Sequence, residues 1–325
     1  MPQRALLFLI CCVFATAGFA QLGRTETRIL EKKQDSLRVL ASRIIRGRTA
    51  EERFTADSAF TRMFVRALKE PNSFYFPFDS LTSISRLVPE DSTFRIFTWQ
   101  MPVNDLLTRQ HGAIQMRTAD GSLRLFPLID KSDVMQDPED SIGNNAGWYG
   151  ALYYRIIETH AFGKTYYSLL GYDENTIASD KKVIDVLTFD QGEPVFGGDV
   201  FSIPDNDMVK KYPARFIMEY KKNAAPRLNY DSSLHMIIYE HLISETGEPQ
   251  KKYTYIPDGD YEGLVWRDGK WVHLNKVFTQ VTPEGQEPVP DPILDDKGNI
   301  DESKLGDRSV RNMSAADSSG RATPK

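Results

Sequence analysis

The feature that most constrains this chain is a series of short aromatic and β-branched runs between Phe74 and Phe278, separated by turn-rich connections. Runs of this kind are typical of β-strands. Most connections are too short to hold a crossover helix, which favours antiparallel pairing. Several runs, such as 183–187, carry apolar residues on both faces of the strand. We expect these strands to be covered on both faces, by another sheet or by helices.

Three turns are predicted to close hairpins. Asp120-Gly121 and Asp268-Gly269 are dipeptides that favour the left-handed backbone of tight hairpin turns, and a third turn contains Gly163. Each turn lies between two strand-like runs. The flanking runs are 113–117 and 123–126, 152–158 and 166–170, and 264–267 and 270–273.

Residues 21–70 have helical rather than strand periodicity. Thr49 and Glu52 have the spacing of a capping box at the start of a second helix. The segment contains twelve Lys/Arg against seven Asp/Glu, although the whole chain has a net charge of −5. The overall charge argues against a nucleic-acid-binding protein. Because acids alternate with the bases, we interpret the segment as helices that pack on, or extend from, an acidic β domain.

Residues 1–20 resemble a secretory signal peptide. Arg4 supplies a positive start, 5–14 an apolar run, and a small-x-small cleavage site ends at Ala20. The run is shorter than the about 20 residues of a membrane span, although a retained N-terminal anchor is the alternative. Both cysteines lie within the run, so cleavage predicts a cysteine-free mature chain. The sequence therefore predicts export to the periplasm or the outer cell surface, with no transmembrane span in the mature chain.

The C-terminal segment 279–325 contains five prolines and no Phe, Tyr or Trp, which predicts a disordered tail. We therefore expect an α+β protein that is mainly β. It would comprise a signal peptide (1–20), a basic helical segment (21–70), a large antiparallel β-sheet domain in the form of a sandwich or open barrel (71–278), and the tail.

His235 and His241 are the first candidates for metal ligands, with Glu219 as a carboxylate that could complete a zinc or iron site. On one extended strand the two histidines would share a face. Their Cα atoms would nevertheless lie about 20 Å apart, because a strand rises about 3.3 Å per residue. The spacing therefore favours structural histidines over a metal site.

Acidic residues generate two further hypotheses. Asp258, Asp260 and Glu262 alternate after a Pro-Asp-Gly turn, and calcium takes oxygen ligands from loops of this kind. Ordinary turn chemistry accounts for the same residues without a metal, and we favour it. Two carboxylates could also serve a hydrolase that acts on glycan or peptidoglycan. The candidates for that pair are Glu219, Glu240, Asp258 and Asp260.

The candidate binding residues are Trp266, Trp271 and Tyr261. Core packing accounts for most of the Tyr and Trp side chains in a β protein. However, Trp266 and Trp271 flank the Asp268-Gly269 turn, and the tip of a hairpin projects from its sheet. We therefore expect both tryptophans to be exposed and able to form a platform for a ligand or partner.

Four stretches carry a resemblance to a known family: 94–100 (FRIFTWQ), 166–175 (YYSLLGYDEN), 182–189 (KVIDVLTF) and 256–264 (IPDGDYEGL). Over roughly 55–278 the chain resembles a family of uncharacterised secreted proteins from Bacteroidetes-type bacteria. That family has no assigned activity, so the resemblance implies an exported location and supplies no catalytic residue.

Together these features predict an exported, non-catalytic binding or envelope-associated module with an aromatic-bearing β surface. Its expected partner is an envelope protein or a glycan, and we expect no nucleic acid, no metal and no cofactor. The alternative is the carboxylate-dependent hydrolase.

Overall fold

The computed structural model describes residues 22–104, 106–206 and 209–278, together with Asp295 and Lys297. The predicted signal peptide at 1–20 lies outside the described residues, and so does the predicted tail apart from those two positions.

Two helices begin the described chain, α1 (Arg24–Arg46) and α2 (Ala50–Leu68). The side-chain oxygen of Thr49 accepts a hydrogen bond from the backbone N–H of Glu52 at 3.2 Å, so the predicted N-cap of α2 is confirmed. The apolar stripes of both helices are buried. The buried members include Leu30, Leu37, Ile44, Phe60, Phe64 and Leu68.

The described residues contain sixteen strands in three sheets. The first sheet has the order β1 (Ser85–Leu87), β2 (Phe94–Asn104), β3 (Leu107–Met116), β4 (Arg124–Ile129). The second has the order β5 (Gly143–Asn144), β9 (Glu193–Phe196), β8 (Ser179–Asp190), β7 (Lys164–Asp173), β6 (Leu152–Ala161), with β12 (Phe216–Lys221) also paired to β8. The third has the order β11 (Val209–Lys211), β10 (Phe201–Asn206), β16 (Lys270–Leu274), β15 (Tyr255–Arg267), β14 (Met236–Ser244), β13 (Leu228–Asp231).

Antiparallel pairing dominates these sheets. The three predicted hairpins are confirmed as β3–β4, β6–β7 and β15–β16. Asp268 and Gly269 both have positive φ, 48° and 77°, as the tight turn requires. One strand pair departs from the prediction: β10 runs parallel to β16, with Phe201 opposite Trp271.

The helices and the three sheets form successive layers, and each neighbouring pair of layers encloses an apolar core. Strand β2 illustrates the arrangement, since Phe97 packs in the core beneath the helices and Ile96 packs against the second sheet. In the second sheet, Leu187 faces the first sheet and Val186 faces the third. The prediction that the central strands are buried on both faces is therefore confirmed.

A buried ion pair lies inside the second sheet. The Nε atom of Arg215 is 3.0 Å from a carboxylate oxygen of Asp185 on β8, and the two side chains are 1% and 0% exposed. Tyr153 donates its hydroxyl to the other carboxylate oxygen at 3.0 Å and accepts the indole N–H of Trp148 at 2.8 Å. Burial opposes the charge of Arg215, but the Asp185 carboxylate outweighs burial and raises the pKa of the guanidinium.

A second buried carboxyl group, that of Asp173 at the end of β7, has no comparable partner among the residues that the structure describes. Its side chain accepts a long hydrogen bond, 3.4 Å, from the amide of Gln110 on β3. Burial raises the pKa of Asp173 to about 6, with the charge of Lys181 opposing that shift and the charge of Asp130 adding to it. The fold therefore carries this carboxylate at neutral pH at a cost in stability.

The variant Asp173→Asn should be more stable than the parent protein at neutral pH. The folded-state pKa of about 6 lies above the ordinary value of 3.8, so the folded chain holds this proton more tightly than the unfolded chain. The contribution of Asp173 is therefore favourable at acid pH and is lost as the pH rises from about 4 to about 6. At about 1.4 kcal/mol per pKa unit, the free energy of unfolding should rise by up to about 3 kcal/mol near neutral pH.

Urea denaturation of both proteins between about pH 3 and pH 8 measures this difference. The two free energies of unfolding should converge towards about pH 3, below both pKa values, where Asp173 is largely protonated in the folded and the unfolded state. A difference of the same size at every pH would contradict the assignment.

Candidate functional site

A groove of about 1000 Å³ lies between the second and third sheets. One wall comes from β12 and from Lys181 of β8. Strands β14, β15 and β16 form the other wall, and the loop 137–140 also contributes. The volume falls within the range of small-ligand sites in proteins, so we take this groove as the candidate functional site.

Aromatic rings form part of the lining. Phe216 of β12 and Tyr239 of β14 have ring centroids 5.0 Å apart, so the two sheets meet through these side chains. Tyr255, at the start of β15, is half-buried and lies beneath the ammonium group of Lys252, 4.5 Å from the ring centroid. The lining thus offers ring surface next to a cation.

Beside these rings, Glu262 of β15 is held by two histidines. The Nε2 atom of His273 is 2.9 Å from one oxygen of Glu262, and the Nε2 atom of His241 is 3.9 Å from the other. Burial works against ionisation of Glu262, but hydrogen bonds from His273 and Tyr239 outweigh it and lower the pKa of the carboxyl group. Glu262 is therefore a carboxylate at neutral pH.

Two of the other carboxylates that line the groove lie on its strand walls, and both accept hydrogen bonds. Glu219 of β12 accepts the hydroxyl of Ser179 at 2.6 Å and the amide of Asn175 at 3.3 Å. Glu240 of β14 accepts the backbone N–H of Arg227 at 2.6 Å and the hydroxyl of Tyr261. The arrangement fixes acceptor groups on opposite walls.

The buried ion pair also positions one part of the lining. Arg215 donates to the backbone carbonyl of Pro138 and, at 3.5 Å, to that of Ser141. Its own backbone N–H donates to the carbonyl of Glu139 at 2.9 Å. The loop that lines the groove is therefore anchored to β8 through Asp185.

Of the four acidic residues predicted from the sequence for a hydrolase, two line the groove and two lie on the exposed surface. Glu219 and Glu240 line the groove, whereas Asp258 and Asp260 are exposed. Asp258 accepts from Nδ1 of His241 at 2.8 Å, and Asp260 lies 3.5 Å from Nζ of Lys276. The three carboxylates of the calcium hypothesis therefore contact His or Lys side chains.

The two histidines considered from the sequence as metal ligands, His235 and His241, do not come together in the structure. His235 lies in the exposed turn before β14 with a φ of 51°, and the partner of His241 across Glu262 is His273. Within the described residues there is no group of three or more His, Cys, Asp or Glu side chains that could hold a metal ion.

The expectation that both tryptophans are exposed is wrong for Trp271, which is 1% exposed. Its indole N–H donates to the hydroxyl of Ser168 on β7 at 2.8 Å. The physical reason is that the β15–β16 hairpin is covered: β10 pairs with β16, and the second sheet packs against its face.

The other two predicted binding residues are partly accessible. Trp266 is half-buried, with its ring 5.5 Å from that of Tyr166. Tyr261 is half-buried and donates to Glu240.

An exposed aromatic side chain does occur at a hairpin tip, but at a different one. Phe162, in the β6–β7 turn, is 85% exposed and has a φ of 50°. A Cβ atom on Gly269 would lie only 2.7 Å from the Phe162 ring, so the two hairpin tips touch. The predicted turn at Gly163 pointed to this hairpin, and only the exposure of its phenylalanine was missed.

Sequence reasoning also missed the convergence of Tyr239, His241, Glu262 and His273. Three strands contribute these side chains, and His241 lies where the β14–β15 register shifts between Glu240 and Leu242. A bulge of this kind changes the face to which later side chains point, so strand alternation alone could not place His241.

None of the described helices is long and apolar enough to cross a membrane. Comparisons of the chain with protein-family models, with curated proteins and with solved structures found no match.

Proposed function

We propose that this protein is an exported, non-catalytic binding module that takes a glycan in the groove between the second and third sheets. The observation that carries the proposal is the lining, which contains both aromatic rings and fixed hydrogen-bonding groups. A glycan presents apolar ring faces and many hydroxyl groups, so it needs both kinds of contact. Tyr255 and Phe216 supply ring surface, and Glu219, Glu240 and Glu262 supply acceptors.

The environment of Glu262 favours binding over acid catalysis by that residue. A general acid of a glycosidase needs a raised pKa, whereas hydrogen bonds from His273 and Tyr239 more than offset burial at Glu262 and lower its pKa. Asp173, whose pKa burial raises to about 6, does not line the groove. A hydrolase that uses Glu219 and Glu240 is the second candidate, because both side chains line the same groove.

Tyr255→Ala should weaken glycan binding, because it removes a ring from the groove wall. We expect at least a roughly fivefold rise in Kd, about 1 kcal/mol, for a chitin tetrasaccharide and for purified peptidoglycan sacculi. Tyr253→Ala is the matched control: Tyr253 is two residues away, is 46% exposed and does not line the groove, so its Kd should stay at the parent value. Titration calorimetry and a sacculus pull-down provide the two measurements.

The same incubation separates the two candidate functions. Binding without release of soluble sugar fragments supports the binding module. Fragment release that is lost in Glu219→Gln or Glu240→Gln would instead establish the hydrolase. Equal glycan binding by the Tyr255→Ala and Tyr253→Ala proteins would show that the groove is not the glycan-binding site.

Export is the second part of the proposal, and it rests on the charged start, the apolar run and the small residues that precede Gln21. Full-length protein expressed in a bacterium should be recovered from the periplasm or the cell surface. Intact-mass measurement should give a chain that begins at Gln21. Protein that retains Met1 and fractionates with the cytoplasm would contradict export.

A further inference from the structure

A second pocket, of about 510 Å³, lies at the helix-facing side of the first sheet. It shares no lining residue with the groove. Its apolar wall includes Phe74, Tyr75 and Phe97. Three arginines, Arg86, Arg95 and Arg117, line it together with a single acidic residue, Asp79.

Arg95 is the most unusual of these side chains. It is 4% exposed, and no carboxylate among the described residues lies within ion-pair distance of it. Its guanidinium donates to the side chain of Gln115 and to the backbone carbonyls of Ser73 and Phe76, at 2.6 to 2.8 Å. A guanidinium has five N–H groups, so the positive charge and two N–H groups are left without a described partner.

Burial of the Arg95 guanidinium disfavours its charged form. Burial, with a further contribution from the nearby charge of Arg86, lowers the pKa of Arg95 to about 9. Three rings surround the guanidinium, with centroids 4.8 to 5.5 Å from Cζ. Rings attract a cation but do not neutralise it. A buried charge is normally paired, and no described carboxylate pairs with this one.

The other two arginines are also available to an anion. Arg86 donates to the carbonyl of Pro77 at 2.8 Å and to Asp79 at 3.1 Å, but its Nε atom is buried without a hydrogen-bond partner. The Asp79 side chain is 80% exposed, so its charge is well solvated. Arg117 is exposed and forms no ion pair with a described residue.

The backbone around the pocket is held in an uncommon conformation. Ser92, which lines it, has a φ of 52°, and Phe78, whose ring contacts Arg95, has a φ of 55°. Residues other than Gly, Asn and Asp rarely adopt such angles. Strained residues cluster at ligand-binding sites, where the surrounding structure holds them in place.

We propose that this pocket binds an oxyanion, a carboxylate or phosphate group carried on an aromatic or apolar body, between Arg86, Arg95 and Arg117. The planar guanidinium groups match the geometry of either oxyanion. Phe74 and Tyr75 contact the apolar part of the ligand. The site is independent of the proposed glycan groove.

Titration calorimetry of the whole protein with phenyl phosphate, benzoate and inorganic phosphate tests the proposal. The parent protein should bind at least one aromatic oxyanion saturably, and tighter binding of phenyl phosphate or of benzoate identifies the phosphate or the carboxylate as the preferred group. Arg86→Gln and Arg117→Gln should each raise the Kd of that ligand by roughly tenfold, the loss of a charge-assisted hydrogen bond. Arg124→Gln, on β4 outside the pocket, should leave it unchanged.

The ligand should also raise the Tm of the parent protein and of Arg124→Gln, and raise it less in the two pocket variants. Arg117 is exposed, so Arg117→Gln decides the question even where Arg86→Gln does not fold. No saturable binding of either aromatic oxyanion at about 10 mM, or binding that both pocket variants retain in full, would overturn the proposal. If inorganic phosphate binds as tightly as phenyl phosphate, the proposed contacts between the pocket rings and an apolar part of the ligand are wrong.

Discussion

The buried ion pair between Arg215 and Asp185 is the interaction on which the second sheet and the groove depend. Removing either partner from a fully buried pair leaves an uncompensated charge, which typically costs about 3–5 kcal/mol. Both partners make further hydrogen bonds, since Tyr153 donates to the carboxylate and Arg215 donates to the backbone carbonyl of Pro138. The ion pair thus fixes the position of the loop 137–140, which belongs to no strand and lines the groove.

Layering explains why such a pair is needed. The second sheet is covered by the first sheet on one face and the third on the other, so the side chains at its centre are buried. Polar groups placed there must find partners within the protein. Asp185 pairs with a cation, and Ser168 accepts the indole N–H of Trp271. Within the described part of the chain, Asp173 accepts only a long hydrogen bond from Gln110. The raised pKa of Asp173 reflects the free-energy cost of burying a carboxylate that lacks a strong partner.

Local features of the fold could be predicted from the sequence, because hairpin turns and helix caps depend on neighbouring residues. Asp268-Gly269 and Thr49 are examples. The site could not be predicted in the same way. Trp271 is buried because β10, seventy residues earlier in the chain, pairs with its strand, and His241 reaches Glu262 through a register shift. In the sequence, Arg95 is one charged residue within a strand-like run. Only the absence of a carboxylate near it in the described structure makes it a candidate ligand-binding group.

Hydrogen–deuterium exchange of the Arg215→Met protein tests the central claim, that the buried ion pair holds the groove, most directly. Amides of the loop 137–141 and of β12 should exchange faster than in the parent protein, whereas those of α1 and α2 should keep their protection, because the helices share no contact with the pair. Unchanged exchange in the loop and in β12, in a variant that remains folded, would show that the groove is held in place by other contacts.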